Sequence, residues 1–443
     1  MSLTIVETKY GKIEGLAMDG YTVFKGIPYA KPPVGDLRWR APQEPDAWEG
    51  VYAAKAYSCK SMQIEQNMPF YVKEFYSDDA YATACSEDSL YLNIWTPADV
   101  AGEKLPVVFW IHGGAFMGGS GSEMEFDGEA YCKRGCILVT VNYRVNIFGF
   151  LAHPWFLEES GNQTAGNYGI LDQIAALTWV YQNIEGFGGD AGNITVMGQS
   201  AGAMSVQTLI CSPLTGNMIS RAVMQSGGGY DNGMNERRTL EEALAFGENF
   251  VNLTGAKTAE ELRNKTAEEL YGVFGAFLGE LMKTGKGLPV GPNIDGYVLE
   301  KYYDELIETG SVKKIPYLLG SNKNDIFVDR KDADAGVKSR IYNGCVSFSQ
   351  KLEKAGLGAS YVYFFKRDLP GDEEGAFHSA ELWYMFGTLD RCWRPMTEGD
   401  HALSDAMMDF WTNFAKTGNP NPDGKEPWRP CTGDDAFVME FDV

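Results

Sequence analysis

An α/β fold built on a mainly parallel central sheet is what this sequence predicts, from three observations. Continuous apolar, β-branched and aromatic runs recur along the 443 residues: LPVVFWI (105–111), CILVTV (136–141), ITVMG (194–198), RAVMQS (221–226), IPYLLG (315–320) and YVYFF (361–365). Runs without polar alternation suit strands covered on both faces, as in parallel sheets. Helical patterns fall between them, at 167–184, 200–211 and 240–253. Strand, helix, strand in alternation reads as α/β. Finally, no repeat, low-complexity tract or linker divides the chain, and 44% hydrophobic with 13% aromatic content can fill one large core. A single domain over 1–443 is expected, with an embedded helical subdomain at about 235–310 and 328–356. The charged helical stretches at 257–283 and 328–356 fall near strand ends, where such sheets place their ligands.

Composition narrows the function classes. Lys and Arg number 38 against 60 Asp and Glu, a net charge of −22. That field repels phosphate backbones and anionic lipid, so neither nucleic acid nor membrane is an expected partner. No stretch reaches the roughly 18–20 apolar residues of a spanning helix. The start, MSLTIVETKYGK, has no basic segment leading into an apolar core, so a cytoplasmic protein is expected. Export through a leader once preceding it is the alternative. The eight cysteines are scattered, and only Cys132 and Cys136 lie close, with no histidine near them. Reduced thiols, no metal and no cofactor are therefore expected. The sequons at Asn162, Asn193, Asn252 and Asn264 are read as chance matches.

The motifs carry the chemistry. VMGQSAGAM (196–204) holds the one G-x-S-x-G of the chain, Gly198 to Gly202. A strand-like NITVM enters it and a helical SAGAMSVQTLI leaves it, the setting of a nucleophile elbow with Ser200 at its tip. The helix N-terminus would point free N–H groups at developing negative charge. FWIHGGAFMGG (109–119) ends another strand in His112-Gly113-Gly114-Ala115, small residues that let backbone N–H groups turn toward one point beside that of Ala201. A nucleophilic serine needs a base, and the chain has four histidines. His112 sits inside the glycine loop, while His153 and His401 lie in polar or turn-like stretches. His378, in GAFHSAELWYMFG (375–387), follows Ser200 late in the chain, as the order Ser, acid, His requires.

From end to end the chain resembles the type-B carboxylesterase/cholinesterase family of α/β-hydrolases. The likeness runs through FKGIPYAKPPVGDLRWRAP (24–42), SEDSLYLNIWTP (86–97), VNYRVNIFGFL (141–151), the long stretch from Gly166 to Val206, and WTNFAKTGNPN (411–421). It implies an α/β-hydrolase fold with helical insertions over the active site, and a serine carboxylic-ester hydrolase acting on a small-molecule ester. Its acid pattern falls on LLGSNKNDIF (318–327), which assigns the acid to Asp325 with Asp329 as alternative. By the same resemblance the oxyanion donors are Gly114, Ala115 and Ala201, and Ser226 supports the acid from behind.

Departures bear on substrate. Ser89 replaces a family cysteine, so the usual disulfide to a residue like Cys59 is lost, with Cys85 nearby. The loop 59–88 has no Trp to stack on a quaternary ammonium, which disfavours choline esters and favours short-to-medium acyl esters of neutral alcohols. The short span from Asp325 to His378 predicts an open pocket with the mobile segment 328–356 as cover, unless 257–283 closes over it. Another acyl hydrolase (amidase, thioesterase or lactonase) and a non-catalytic binding protein are the rival readings.

Overall fold

The computed structural model describes residues 3–161, 163–282, 288–422 and 425–443. Asn162, and residues 283–287 of the expected helical subdomain, lie outside them. The apolar runs become strands of one large sheet. In chain order these are β1 (Leu16–Ala17), β2 (Thr22–Pro28), β3 (Tyr91–Thr96), β4 (Leu105–Ile111), β5 (Ile137–Val141) and β6 (Gly189–Gln199). Then follow β7 (Arg221–Gln225), β8 (Tyr317–Asn322), β9 (Tyr361–Phe365) and β10 (Met439–Phe441). Their order across the sheet is β10-β9-β8-β7-β6-β4-β5-β3-β2-β1. From β10 to β5 every pair is parallel, and β5 and β8 are buried along their whole length. At the other edge β3, β2 and β1 run antiparallel. A bulge in β2, with Gly26 at φ +69°, turns the Gly26 N–H onto Asn93 Oδ1 of β3 at 2.9 Å.

Helices cover both faces. We label α1 (Pro69–Phe75), α2 (Tyr168–Asn183), α3 (Ala201–Cys211), α4 (Leu240–Thr254), α5 (Ala267–Met282), α6 (Arg340–Lys354) and α7 (Glu398–Thr417). Every residue of α3 is buried, so the helix behind the serine is a fixed part of the core. Helices α4 and α5 pack together, joined by Phe250 against Phe274 and Phe246 against Phe277, ring centres 6.0 and 5.1 Å apart.

The segment 328–356 differs from its expected role as a mobile cover. It holds α6, whose Ile341, Cys345, Phe348 and Leu352 are buried at helical spacing. That stripe lies on the sheet, with Phe348 edge-on to Tyr317 of β8 at 5.3 Å. Parallel neighbours β8 and β9 need a crossover, and α6 supplies it. No helix among the described residues is long and apolar enough to cross a membrane. All eight cysteines are free thiols, Cys59 and Cys85 among them.

Candidate active site

Sheet register assembles the site. Ile111 at the end of β4 pairs with Gly198 at the end of β6, so the loops that follow emerge side by side. Ser200 lies at the turn from β6 into α3 with φ 54° and ψ −125°, a conformation few non-glycine residues hold without support. Its N–H is tied to Gln225 O of β7 at 2.8 Å. The flanking glycines are required by close approach: a Cβ on Gly202 would lie 2.1 Å from Ile111 O, and one on Gly198 2.5 Å from the Gly202 carbonyl carbon.

The neighbouring loop curls back on itself. Gly114 (φ +99°) and Ala115 (φ 56°) take left-handed conformations, and the Gly114 carbonyl accepts the N–H groups of Met117 and Gly118. The N–H groups of Gly114 and Ala115 themselves donate to no described residue. That of Ala201, first in α3, has no intrahelical acceptor. His112 braces this loop: its ring stacks on Tyr143 at 4.4 Å and its Nδ1 lies 2.9 Å from Gly113 O. Burial lowers its pKa to about 4, so it stays neutral.

Asp325 follows β8 on a turn that its own carboxylate organises. Oδ2 accepts the Asn322 N–H at 3.0 Å, and Oδ1 accepts the Ile326 N–H at 2.9 Å and His378 Nδ1 at 2.6 Å. The two loops are clipped together by Asn324 N–H to Ala376 O (3.0 Å) and Asn322 Nδ2 to Phe377 O (2.8 Å). Burial alone would lower the His378 pKa, but the Asp325 carboxylate, aided by Glu381, raises it overall. Asp329 is exposed at the head of the short helix Arg330–Asp334 and has no bond to His378. His153 accepts the Trp155 N–H at the start of another helix, and His401 is half-exposed near Asp390.

Three features depart from the sequence reading or lay outside it. The Ser226 hydroxyl is buried with no hydrogen-bond partner among the described residues, so no bond joins it to Asp325. Gln199 fills a variable position of the G-x-S-x-G motif, which the sequence does not mark. Its Nε2 lies 3.2 Å from His378 Nε2, whereas Ser200 Oγ has no hydrogen bond to a described residue. With Nδ1–H donated to Asp325, a neutral ring would accept the Gln199 amide on its free Nε2 lone pair. Glu381 is fully buried behind His378, bonded by Asn322 Nδ2 (2.5 Å) and Gln225 Nε2 (3.3 Å), and burial pushes its pKa up to about 7. A lone acid at the head of the apolar run ELWYMFG was the available signal for it.

Ser200, His378, Gly114 and Ala115 line one cavity of about 360 Å³, walled on its far side by residues of 66–76. A sheet of this order, carrying a serine on the turn between a central strand and a buried helix, defines the α/β-hydrolase fold. The chain belongs to the carboxylesterase family, whose model matches residues 2–343 and 338–443. It is 32% identical to the para-nitrobenzyl esterase of Bacillus subtilis (strain 168), over 95% of this chain and 91% of that one. A fumonisin B1 esterase of Sphingopyxis macrogoltabida is 39% identical over 76% of this chain, and the match spans only 59% of that relative. Among solved structures, a thermophilic pNB esterase superposes with a TM-score of 0.85 at 31% identity, covering 99% of this chain and 96% of its own. A carboxylesterase of Geobacillus stearothermophilus gives 0.80 at 35% identity with the same coverage. The protein is accordingly a carboxylic-ester hydrolase.

Proposed function

We propose that the protein hydrolyses short-to-medium acyl esters through a Ser200–His378–Asp325 triad and an acyl-enzyme intermediate. The observation that carries this is the His378–Asp325 bond of 2.6 Å, with the opposite ring nitrogen 3.2 Å from the side-chain amide of Gln199, the residue before Ser200. Asp325 holds the tautomer whose Nε2 is free to accept a proton. Before attack the ring exchanges the Gln199 amide for the Ser200 hydroxyl. His378 then takes the Ser200 proton as Oγ attacks the ester carbonyl, and the oxyanion rests on the N–H groups of Gly114, Ala115 and Ala201. The imidazolium gives its proton to the departing alcohol. The same nitrogen next activates the water that releases the acid. This chemistry calls on no metal or organic cofactor.

The B. subtilis relative is named for para-nitrobenzyl esters, which makes p-nitrobenzyl and p-nitrophenyl esters fitting first substrates. The test is covalent labelling by a fluorophosphonate together with turnover of p-nitrophenyl butyrate. Wild type should label once and lose activity in step. Ser200→Ala should not label, and its kcat should fall by about 10⁴–10⁶. Undiminished turnover in Ser200→Ala would overturn the proposal.

A further inference from the structure

Most polar side chains around Ser200 are already engaged. Gln66 Oε1 accepts the Asn67 and Met68 N–H groups at 3.1 and 3.0 Å, and the Tyr76 hydroxyl donates to Glu123 at 2.9 Å. Glu123 and Glu125 bond to each other, Gln199 contacts His378, and His378 is bonded to Asp325. Two hydroxyls on the same cavity wall are left over, those of Tyr71 and Ser379. Neither makes a hydrogen bond with a described residue. Nor are they sealed in, as the unpartnered Ser226 hydroxyl is. Both therefore open on the cavity that holds Ser200.

Their places in the fold single out one part of the substrate. Ser379 follows His378 directly. Tyr71 lies on α1, which packs on the same loop through Phe70 edge-on to Phe377, ring centres 4.9 Å apart. His378 gives its proton to the departing alcohol, so the wall beside it faces the alcohol part of the ester. Ser379 is 8% exposed and holds φ 83°, a left-handed conformation that glycine would take without strain. A local side-chain hydrogen bond can offset that strain, and Ser379 makes none. What serine adds over glycine here is a hydroxyl in the cavity. Tyr71 keeps its own proton: burial, and after it the charges of Asp325 and Glu374, raise its pKa. Donors this close to carboxylates suit a neutral acceptor, since an anion would be repelled. Ile326 and Leu382 line the same cavity, so an oxygen without these donors would lie unpaired against apolar carbon.

We propose that Tyr71 and Ser379 form a specificity site whose hydroxyls donate to a neutral acceptor oxygen, an ether or a second carbonyl, on the alcohol part of the ester. This rests on Ser200 as the nucleophile and His378 as its base.

The test compares butyrate esters of matched length with the whole chain: 2-methoxyethyl against butyl, and 3-methoxypropyl against pentyl. In each pair one CH₂ of the alcohol becomes an ether oxygen. The readout is kcat/KM for the ether ester over that for its alkyl partner, taken within each variant so that the active fraction cancels. It is set against the same ratio for hydrolysis by hydroxide. Wild type should exceed the hydroxide ratio by about 2- to 10-fold in at least one pair, the range of a neutral hydrogen bond. Ser379→Ala and Tyr71→Phe should each lower that excess, and the double variant should remove it. Ser379→Gly should lower it too, yet unfold at higher urea, because the backbone strain leaves with the side chain. Tyr71→Phe carries the test if no Ser379 variant folds, and an unmoved excess there overturns the site.

A wild-type ratio equal to that of hydroxide in both pairs would overturn the specificity site and leave the ester hydrolase reading standing. So would an excess that survives in the double variant. A serine kept only for structure would show the reverse pattern, with stability lost in Ser379→Gly and the ratio unmoved. If wild type hydrolysed none of the four esters, or Ser200→Ala hydrolysed them undiminished, the nucleophile assignment and this proposal would fall together.

Discussion

Asp325 reaches His378 through a single oxygen, and that contact sets how the ring titrates. Because the carboxylate holds the His378 pKa above its ordinary 6.5, the base is lost to protonation as pH falls through the raised value. The acid limb of kcat/KM should therefore lie above that ordinary value. Asp325→Asn removes the charge and favours the wrong tautomer, so the rate should fall by about 10⁴. What remains should show its limb at lower pH. Asp329→Asn, at an exposed helix start, should behave as wild type. Gln199 offers the opposite shift: Gln199→Glu places a carboxylate beside Nε2 and should move the limb further up. The pH profiles of the three variants decide these together, and a limb indifferent to Asp325→Asn would sink the acid assignment.

At the scale of elements, the turn around Ser200 stands on two close contacts. Gly202→Ala would drive a Cβ into the Ile111 carbonyl, and the resulting shift between β4 and α3 should cost about 1–3 kcal/mol or more in urea unfolding. An Ala variant as stable as wild type would show that the contact relaxes freely. Helix α6 gives a second check. If it is the crossover packed on β8, its amides should exchange as slowly as the sheet's, and Phe348→Ala should cost about 3–5 kcal/mol. Fast exchange there would restore the mobile cover expected from its charges. The physical reason for that misjudgement is visible in Ile341, Cys345, Phe348 and Leu352. Four apolar residues at helical spacing were hidden among Lys, Arg and Glu, and a charge count ignores periodicity. The parallel strands were legible because both their faces are buried, leaving no polar residue to break the run. β3 was harder, since Asn93 interrupts it, and that residue is there to hold the β2 bulge and Thr140. In the site, Ser200 and the glycine loop were legible because backbone strain demands particular residues. Gln199, Glu123, Glu125 and Glu381 were not, because nothing local marks an acid or amide that only tertiary packing brings to a cavity.

For the molecule as a whole, the question is how much room the chain leaves at the serine. His378 follows Asp325 by only 53 positions, and α6 and β9 lie in the intervening chain. Ile326 is the sole residue between 326 and 377 that lines the Ser200 cavity, and none of 257–279 does so. The far wall comes instead from residues of 66–76, where α1 carries Tyr71 and Phe75. Beyond Glu123 and Tyr76 the second cavity adds about 350 Å³ to the first. Each is in the range of about 300–1,000 Å³ that holds a drug-sized ligand. If the two spaces communicate, a leaving alcohol larger than ethyl would pass from the serine into the second without displacing the core. Benzyl and naphthyl groups would also gain contact with Phe75 and Tyr76 on the way. For ethyl, benzyl and naphthyl esters of one acid, kcat/KM should stay level or rise with alcohol size. A steep fall along that series would mean that the two cavities do not communicate in solution and that the serine lies in a closed gorge.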